Sequence, residues 1–259
     1  MSTADLAGVV NATTDDAFLG GQVIVSQPQT GYRAGLDAVL LAATVVAMPG
    51  DRVLDLGAGA GTIGLCVAAR LPAVEVVLLE REPLLVQLAQ RNIERNNFAP
   101  RVRVVQADLE GPADTLGLAT EAFDHVLANP PYQIEGDGRA SPDVLKARSH
   151  AMPAGGLDRW VRVMARLVKP DGTAAVVHRA DALDDILVAF KSRFGSIAVL
   201  PIYPREGEAA VRVIVSGVKG SRAPLMILPG LVVHQTSAQD FTPRLQAILR
   251  HGQALPLKK

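Results

Sequence analysis

Arg52-Val53-Leu54-Asp55-Leu56-Gly57-Ala58-Gly59-Ala60-Gly61 reads as a short apolar strand that ends in a carboxylate and runs into three glycines separated by alanines. Thr62 to Leu71 continues it as a helix, so the stretch is strand, tight turn and helix, the opening unit of a parallel sheet with crossover helices. Outward from it the pattern repeats. Val74 to Glu80 is a second strand, Val102 to Val105 a third, Phe123 to Ala128 a fourth and Thr173 to His178 a fifth, with helices over Pro83 to Asn96 and Leu157 to Val168 between them. Pro83 stands at a first helical position, where its missing N–H costs nothing. The turn Lys169-Pro170-Asp171-Gly172 ends the later helix. After a helix near Asp181 to Arg193, the strands Ile197 to Tyr203 and Val211 to Val218 are joined by too few residues for a crossover, which makes them antiparallel neighbours. The expectation is an α/β, Rossmann-like fold: a seven-stranded, mostly parallel sheet with one antiparallel edge strand.

At 259 residues and 49% hydrophobic, the chain can bury a full core as one main domain. Residues 1–50 precede the first strand and contain a helix from Leu36 to Val46. Residues 51–219 form the core, and 220–259 are a loop-like tail packed on it, with prolines at 224, 229 and 243 and a short helix from Pro243 to Arg250. Cys66, the only cysteine, excludes an internal disulfide and reads as a packed core residue; no metal site is expected. No secretory signal is visible at the N-terminus, and the run Ala38 to Met48 is too short to span a bilayer. The expected location is cytoplasmic, with no membrane partner. Twenty-six bases balance twenty-six acids, but Arg139 to Lys169 holds seven Lys or Arg against two acids, and Lys219 to Lys259 six against one. Such stretches can meet phosphates if the fold brings them onto one face, although a solvated helix surface has the same composition.

Asp55 decides what the glycine turn holds. Gly59-Ala60-Gly61-Thr62-Ile63-Gly64 also satisfies a dinucleotide pattern, but a carboxylate just before the turn repels a pyrophosphate at the helix N-terminus. Toward a cofactor with no phosphate, a sulfonium and an ammonium group, the same carboxylate is favourable. That selects S-adenosylmethionine over NAD. Gly57, Gly59 and Gly61 allow close backbone approach. Glu80, ending the second strand, is placed to accept the ribose hydroxyls, and Asp108 with Leu109, just after the third, to meet the adenine. One such acid alone is more often a strand-end cap; three around one glycine loop outweigh that reading.

Asn129-Pro130-Pro131-Tyr132 ends the fourth strand beside the sulfonium position. An exocyclic amine on an aromatic base, or an amide nitrogen, has a delocalised lone pair and attacks a methyl group poorly. The Asn129 side-chain oxygen and the Pro130 carbonyl can accept its two hydrogens and turn the lone pair toward the methyl. Pro130 and Pro131 stiffen the loop, and Tyr132 offers a face on which an unstacked base can lie. The plainer alternative, a turn with a packed tyrosine, loses once the three acids are taken into account.

These residues resemble those of the amino methyltransferases with an Asn-Pro-Pro-Tyr motif, whose sheet is the class I methyltransferase one. More narrowly, Asp16-Ala17-Phe18-Leu19-Gly20-Gly21 and Gln27 to Ala42 resemble the N-terminal motif of the bacterial tRNA1(Val) adenine-N6 methyltransferase family. Lys146-Ala147-Arg148-Ser149-His150 and Ala210-Val211-Arg212-Val213 resemble two further stretches of it. The resemblance implies N6-methyladenine in tRNA as product, with Tyr32 and Arg33 covering the methionine end of the cofactor. A protein glutamine N5-methyltransferase and an rRNA guanine-N2 methyltransferase share the chemistry, but the former usually carries a helical domain for which 50 residues leave little room. From other classes, an NAD-dependent dehydrogenase is opposed by Asp55, and a non-catalytic RNA-binding protein by the intact tetrapeptide.

Overall fold

The computed structural model describes residues 13–30, 33–111, 113–134, 151–152, 156–235 and 240–257. The described chain opens with a hairpin, β1 (Thr13–Phe18) and β2 (Val23–Pro28), followed by helix α1 (Leu36–Ala43). Then come β3 (Arg52–Leu56), α2 (Thr62–Arg70), β4 (Glu75–Glu80), α3 (Pro83–Arg95), β5 (Val102–Gln106) and β6 (Phe123–Ala128). A two-residue parallel pair, β7 (Gln133–Ile134) and β8 (Ala151–Met152), precedes α4 (Gly156–Leu167), β9 (Val168–Arg179) and α5 (Leu183–Lys191). Last are β10 (Phe194–Tyr203), β11 (Arg212–Lys219), β12 (Met226–Ile227), β13 (Leu231–Val232) and α6 (Pro243–His251).

The main sheet runs β12-β10-β11-β9-β6-β3-β4-β5, with β13 also beside β10. β3 pairs in parallel with β4 on one side and β6 on the other, so the connection order reverses there. Ligands of open α/β sheets bind at the carboxyl edge of such a switch point, and both the glycine turn after β3 and the tetrapeptide after β6 lie on it. The sheet is mostly parallel, as the strand pattern implies, and the antiparallel strand has a more specific place than the edge. β11 is antiparallel to both β9 and β10 and is inserted between them. The short link from Ile202 forces adjacency to β10, and the slot beside β9 is the one left to fill. The tail also differs from the loop expected of it: its β12 and β13 add parallel pairs to β10.

Lys169 to Gly172 does not separate helix from strand either. α4 runs directly into β9, and these residues loop out as a bulge: Phe123 pairs with Val168, yet His125 pairs with Thr173. Asp171 takes φ +62° there, and a Cβ at Gly172 would lie 2.8 Å from the Asp124 carbonyl oxygen, so the bulge requires a glycine.

Both sheet faces are buried. One is covered by residues such as Leu40, Leu41, Leu65 and Val67, the other by Trp160, Met164, Leu167 and Phe190. Leu245, Ile248, Leu255 and Leu257 of the C-terminal stretch join the first layer, and the Leu255 N–H donates to the Ala43 carbonyl at 2.8 Å. Cys66 is fully buried in the same layer, and burial pushes its thiol up to about 12, so it does not ionise near neutrality. Among the described residues, no helix is long and apolar enough to cross a membrane.

Candidate active site

Two loops face each other across the carboxyl edge. The first is Asp55 to Gly61. Gly57, Gly59 and Gly61 all have positive φ, at +72°, +58° and +93°. Gly57 has a second constraint: a Cβ there would come within 2.3 Å of the Trp160 ring. Gly59 differs, since nothing lies within 4 Å of its would-be Cβ. That position is the open side of the turn, where a ligand can approach the backbone closely. Gly61 is the N-cap of α2.

The acids around this turn hold it by accepting backbone hydrogens. Asp55 is completely buried; its Oδ2 accepts from the Gly64 N–H at 2.9 Å, inside the first turn of α2. Its Oδ1 is buried with no hydrogen-bond partner among the described residues. Burial raises the Asp55 carboxyl to about 7, against the opposing Gly64 hydrogen bond. Asp55 thus stands behind the turn and fixes the loop through the Gly64 N–H. Glu80 Oε2 accepts from the Gly59 N–H at 2.8 Å, and Oε1 accepts from the N–H groups of Arg81 and Glu82 at 2.8 and 2.9 Å. Burial raises its pKa as well, in spite of those three donors. With two lone pairs per oxygen, the described contacts leave one further acceptor position on Oε2. Asp108 is exposed and its Oδ1 accepts from the Glu110 N–H at 2.9 Å, while Leu109 is buried against the layer that contains Trp160. Arg159 staples this loop, donating from Nε to the Leu109 carbonyl at 3.0 Å and from Nη2 to the carbonyls of both Glu110 and Gly111.

Asn92 is a site-supporting residue with no sequence signal beyond its helical placement. Fully buried on α3, it donates to the Ala60 carbonyl of the glycine turn and the Ser26 carbonyl of β2, both at 3.0 Å, and accepts from the Ser26 N–H at 2.8 Å. Asn96, one turn on, pairs with the N–H and C=O of Ile24 in the same way. Two amides spaced by four residues therefore bind a strand edge as another strand would, and dock the N-terminal hairpin beside the glycine turn. Arg33 is spent in the same segment: its guanidinium donates to both Asp16 oxygens at 2.7 and 2.6 Å. Tyr32 lies outside the described residues.

The second loop is Asn129 to Tyr132. Pro130 is buried and the other three are half-buried. The Tyr132 hydroxyl lies 2.6 Å from Asn129 Oδ1 and 3.0 Å from Asp37 Oδ2. Arg212 donates from Nε to the same Asp37 oxygen at 3.0 Å, and its guanidinium lies over the Tyr132 ring, 5.1 Å from the centroid. Burial opposes the Arg212 charge, but Asp37 and, to a lesser degree, Tyr132 act the other way and the pKa is raised. The buried His178 ring meets Tyr132 edge-on at 5.0 Å; its pKa is lowered by burial, with the Pro131 and Arg179 backbones acting the other way. Asp37 lies in the first turn of α1, and Arg212 is the first residue of a reversed strand. Because β11 runs antiparallel, its beginning rather than its end reaches the carboxyl edge, opposite Arg179. Strand ends were where sequence reasoning sought functional residues, so Arg212 was missed.

Several described bases of these stretches are already engaged, whereas Arg222, Arg244 and Arg250 of the second stretch are exposed. Arg162 pairs with Asp158, Lys169 with Asp124 and Lys219 with Glu121, and Arg159 is tied to the carbonyls above. Residues 135–150, with Arg139 and Lys146 to His150, and residues 153–155 lie outside the described residues.

The model of the methyltransferase small domain family matches residues 23–169, which include both loops. The tRNA1(Val) (adenine(37)-N6)-methyltransferase of Bacteroides thetaiotaomicron is 28% identical over 169 residues, 65% of this chain and 68% of that one. The protein of the same name from Shewanella loihica is 32% identical over 162 residues, 62% of this chain and 65% of its own length. The match thus spans about two thirds of these relatives. A crystal structure of a predicted O-methyltransferase from Agrobacterium tumefaciens is 35% identical and covers 84% of this chain and 97% of that one, with a TM-score of 0.71.

Proposed function

This chain belongs to the methyltransferase small domain family, and we propose that within it the protein is an S-adenosylmethionine-dependent N-methyltransferase acting on an exocyclic amine of RNA, adenine N6 in a tRNA. The observation that carries this reading is the pair of facing loops: a glycine turn with an open position at Gly59, a buried acid behind it at Asp55 and one remaining acceptor position on Glu80, opposite a rigid acceptor loop at Asn129 to Tyr132. The orphaned Asp55 oxygen and the phosphate-free chemistry of these donors and acceptors fit a cationic adenosyl cofactor. Gly57, Gly59, Gly61, Glu80, Asp108 and Leu109 hold it, with Asp55 fixing the turn and Tyr32 and Arg33 in the covering segment 1–50. When bound, S-adenosylmethionine supplies an electrophilic methyl group on sulfur.

The chain's own residues do the orienting. Asn129 Oδ1 and the Pro130 carbonyl accept the two amine hydrogens, which aims the nitrogen lone pair and stabilises the positive charge that grows on it. Pro131 keeps the loop stiff, and the Tyr132 ring supports the base. Both acceptors are neutral and weakly basic, which suits an amine with two hydrogens to place. A hydroxyl acceptor, the chemistry named for the Agrobacterium protein, has one hydrogen to lose and needs a base; among the described residues the imidazole that meets Tyr132, His178, is buried behind the tyrosine with a lowered pKa. The core at 51–219, the tail at 220–259, a cytoplasmic location and the basic residues of 139–169 as phosphate contacts belong to the same reading.

Purified protein with labelled cofactor and separate pools of tRNA, rRNA and release factor tests it. Label in tRNA, recovered as N6-methyladenine, is expected. Label confined to protein, or in rRNA as N2-methylguanine, overturns the assignment.

A further inference from the structure

The acceptor loop contains one proton shared between two acceptors. The Tyr132 hydroxyl is within hydrogen-bond distance of Asn129 Oδ1, at 2.6 Å, and of Asp37 Oδ2, at 3.0 Å, and it can donate to one of them at a time. While it donates to Asn129, it takes one of the two lone pairs of the oxygen meant for the substrate amine and withdraws electron density from the other. Rotation about the Cζ–Oη bond transfers the proton to Asp37 without moving a heavy atom, and the new acceptor is a carboxylate, which binds a hydroxyl more strongly than an amide does. Arg212 keeps that carboxylate in place through its 3.0 Å contact to the same oxygen. Asp37 and Arg212 are 95 and 80 residues from Tyr132 in the chain, and they are half-buried, with side-chain exposures of 20% and 32%.

We propose that Asp37, anchored by Arg212, is a positioning residue that draws the Tyr132 proton away from Asn129 Oδ1 as the amine arrives, leaving that oxygen to accept from the substrate. This rests on Asn129 being the amine's acceptor. Neither Asp37 nor Arg212 touches the reacting atoms; they act through the tyrosine.

The test is a double-mutant cycle read in single-turnover rate, with cofactor affinity and melting temperature measured alongside. Asp37→Asn leaves the hydroxyl on Asn129 and is expected to lower the rate about tenfold, with little change in KM for RNA or in cofactor affinity. Tyr132→Phe removes the competing proton, retains the ring and supplies the second background of the cycle. In the Tyr132→Phe background, Asp37→Asn is expected to cost nothing further. Equal losses from Asp37→Asn in both backgrounds overturn the proposal, because an acid that merely braces the fold is needed with or without the hydroxyl. Abolition of turnover by Tyr132→Phe alone overturns it too. If Asp37→Asn unfolds the protein, Arg212→Gln gives the same comparison through the anchor, and its cost must likewise vanish with Tyr132→Phe. Asn129→Ala retaining wild-type rate is a separate outcome: it removes the amine-acceptor reading on which this one stands.

Discussion

The glycine turn and the acceptor loop sit on adjacent strands, β3 and β6, yet they are held by different kinds of bond. In the turn, acids close in sequence accept main-chain hydrogens: Asp55 from Gly64, Glu80 from Gly59, Arg81 and Glu82. These acids are almost fully buried, and their loop is closed on its inner side by Trp160. In the acceptor loop, side chains are joined to side chains from the far ends of the core: Asn129 to Tyr132, Tyr132 to Asp37, Asp37 to Arg212. Backbone hydrogen bonds fix a position once the fold forms. Side-chain networks can redistribute their protons within the same fold. A cofactor site gains from the first arrangement, since it need only hold a shape, and a loop that must accept hydrogens from a substrate gains from the second.

The contrast predicts that substitutions in the two loops fail differently. The largest effect is expected from Asn129→Ala, which removes an acceptor to the developing charge: a loss of about 100- to 1000-fold in kcat with cofactor affinity and melting temperature unchanged. A matching loss of cofactor binding would show that the two loops are one unit. Gly57→Val is the reverse case. It puts a branched side chain at φ +72° against the Trp160 ring and is expected to cost about 3 kcal/mol or more of stability, read as a lower melting temperature and weaker cofactor binding together. Unchanged stability would mean that the turn is far less constrained than its packing indicates.

Asp55→Asn probes the turn through pH. The folded-state Asp55 binds its proton more tightly than the unfolded one, about 7 against an ordinary value of 3.8, so wild-type stability drains away as pH rises through that window and levels off above it. The asparagine has nothing to titrate and can still accept from the Gly64 N–H. The melting temperature of the variant relative to wild type is therefore expected to rise between about pH 4 and about pH 7 and to level off above that. Cofactor affinity of the wild type should strengthen as pH passes through about 7, where the buried charge appears, and that of the variant should not. Parallel pH profiles would remove Asp55 from the electrostatics of the site. The smallest effect is expected from Arg33→Ala: its pair with Asp16 is about one-third exposed on both sides, and its loss should change stability by about 1 kcal/mol or less. A large loss of cofactor affinity there would show that Arg33 leaves Asp16 when the site fills.

The positions of the β3 turn, the β4 end and the Asn129 loop were legible because each follows a strand whose β-branched run is plain, and a strand end carries its next residues to the sheet edge. The hairpin from Thr13 to Pro28 was not read, although its strands alternate, because Asn92 and Asn96 bury it from a helix 66 and 72 residues away. The short strands of the tail were hidden behind Pro224 and Pro229 for a related reason: two-residue pairings leave no period to detect.

The sequence by itself determined the alternation of strands and helices, the glycine turn with its acids, and the tetrapeptide that ends β6, since local propensity and spacing suffice for those. The tertiary structure decided that Asp55 stands behind the turn, that Glu80 is already engaged with three backbone donors, and that Asp37 and Arg212 meet at Tyr132. These depend on how elements distant in the chain are brought together. The reversal of β11 is the clearest instance, since inserting an antiparallel strand between β9 and β10 turns the start of a strand toward the edge where all the others present their ends.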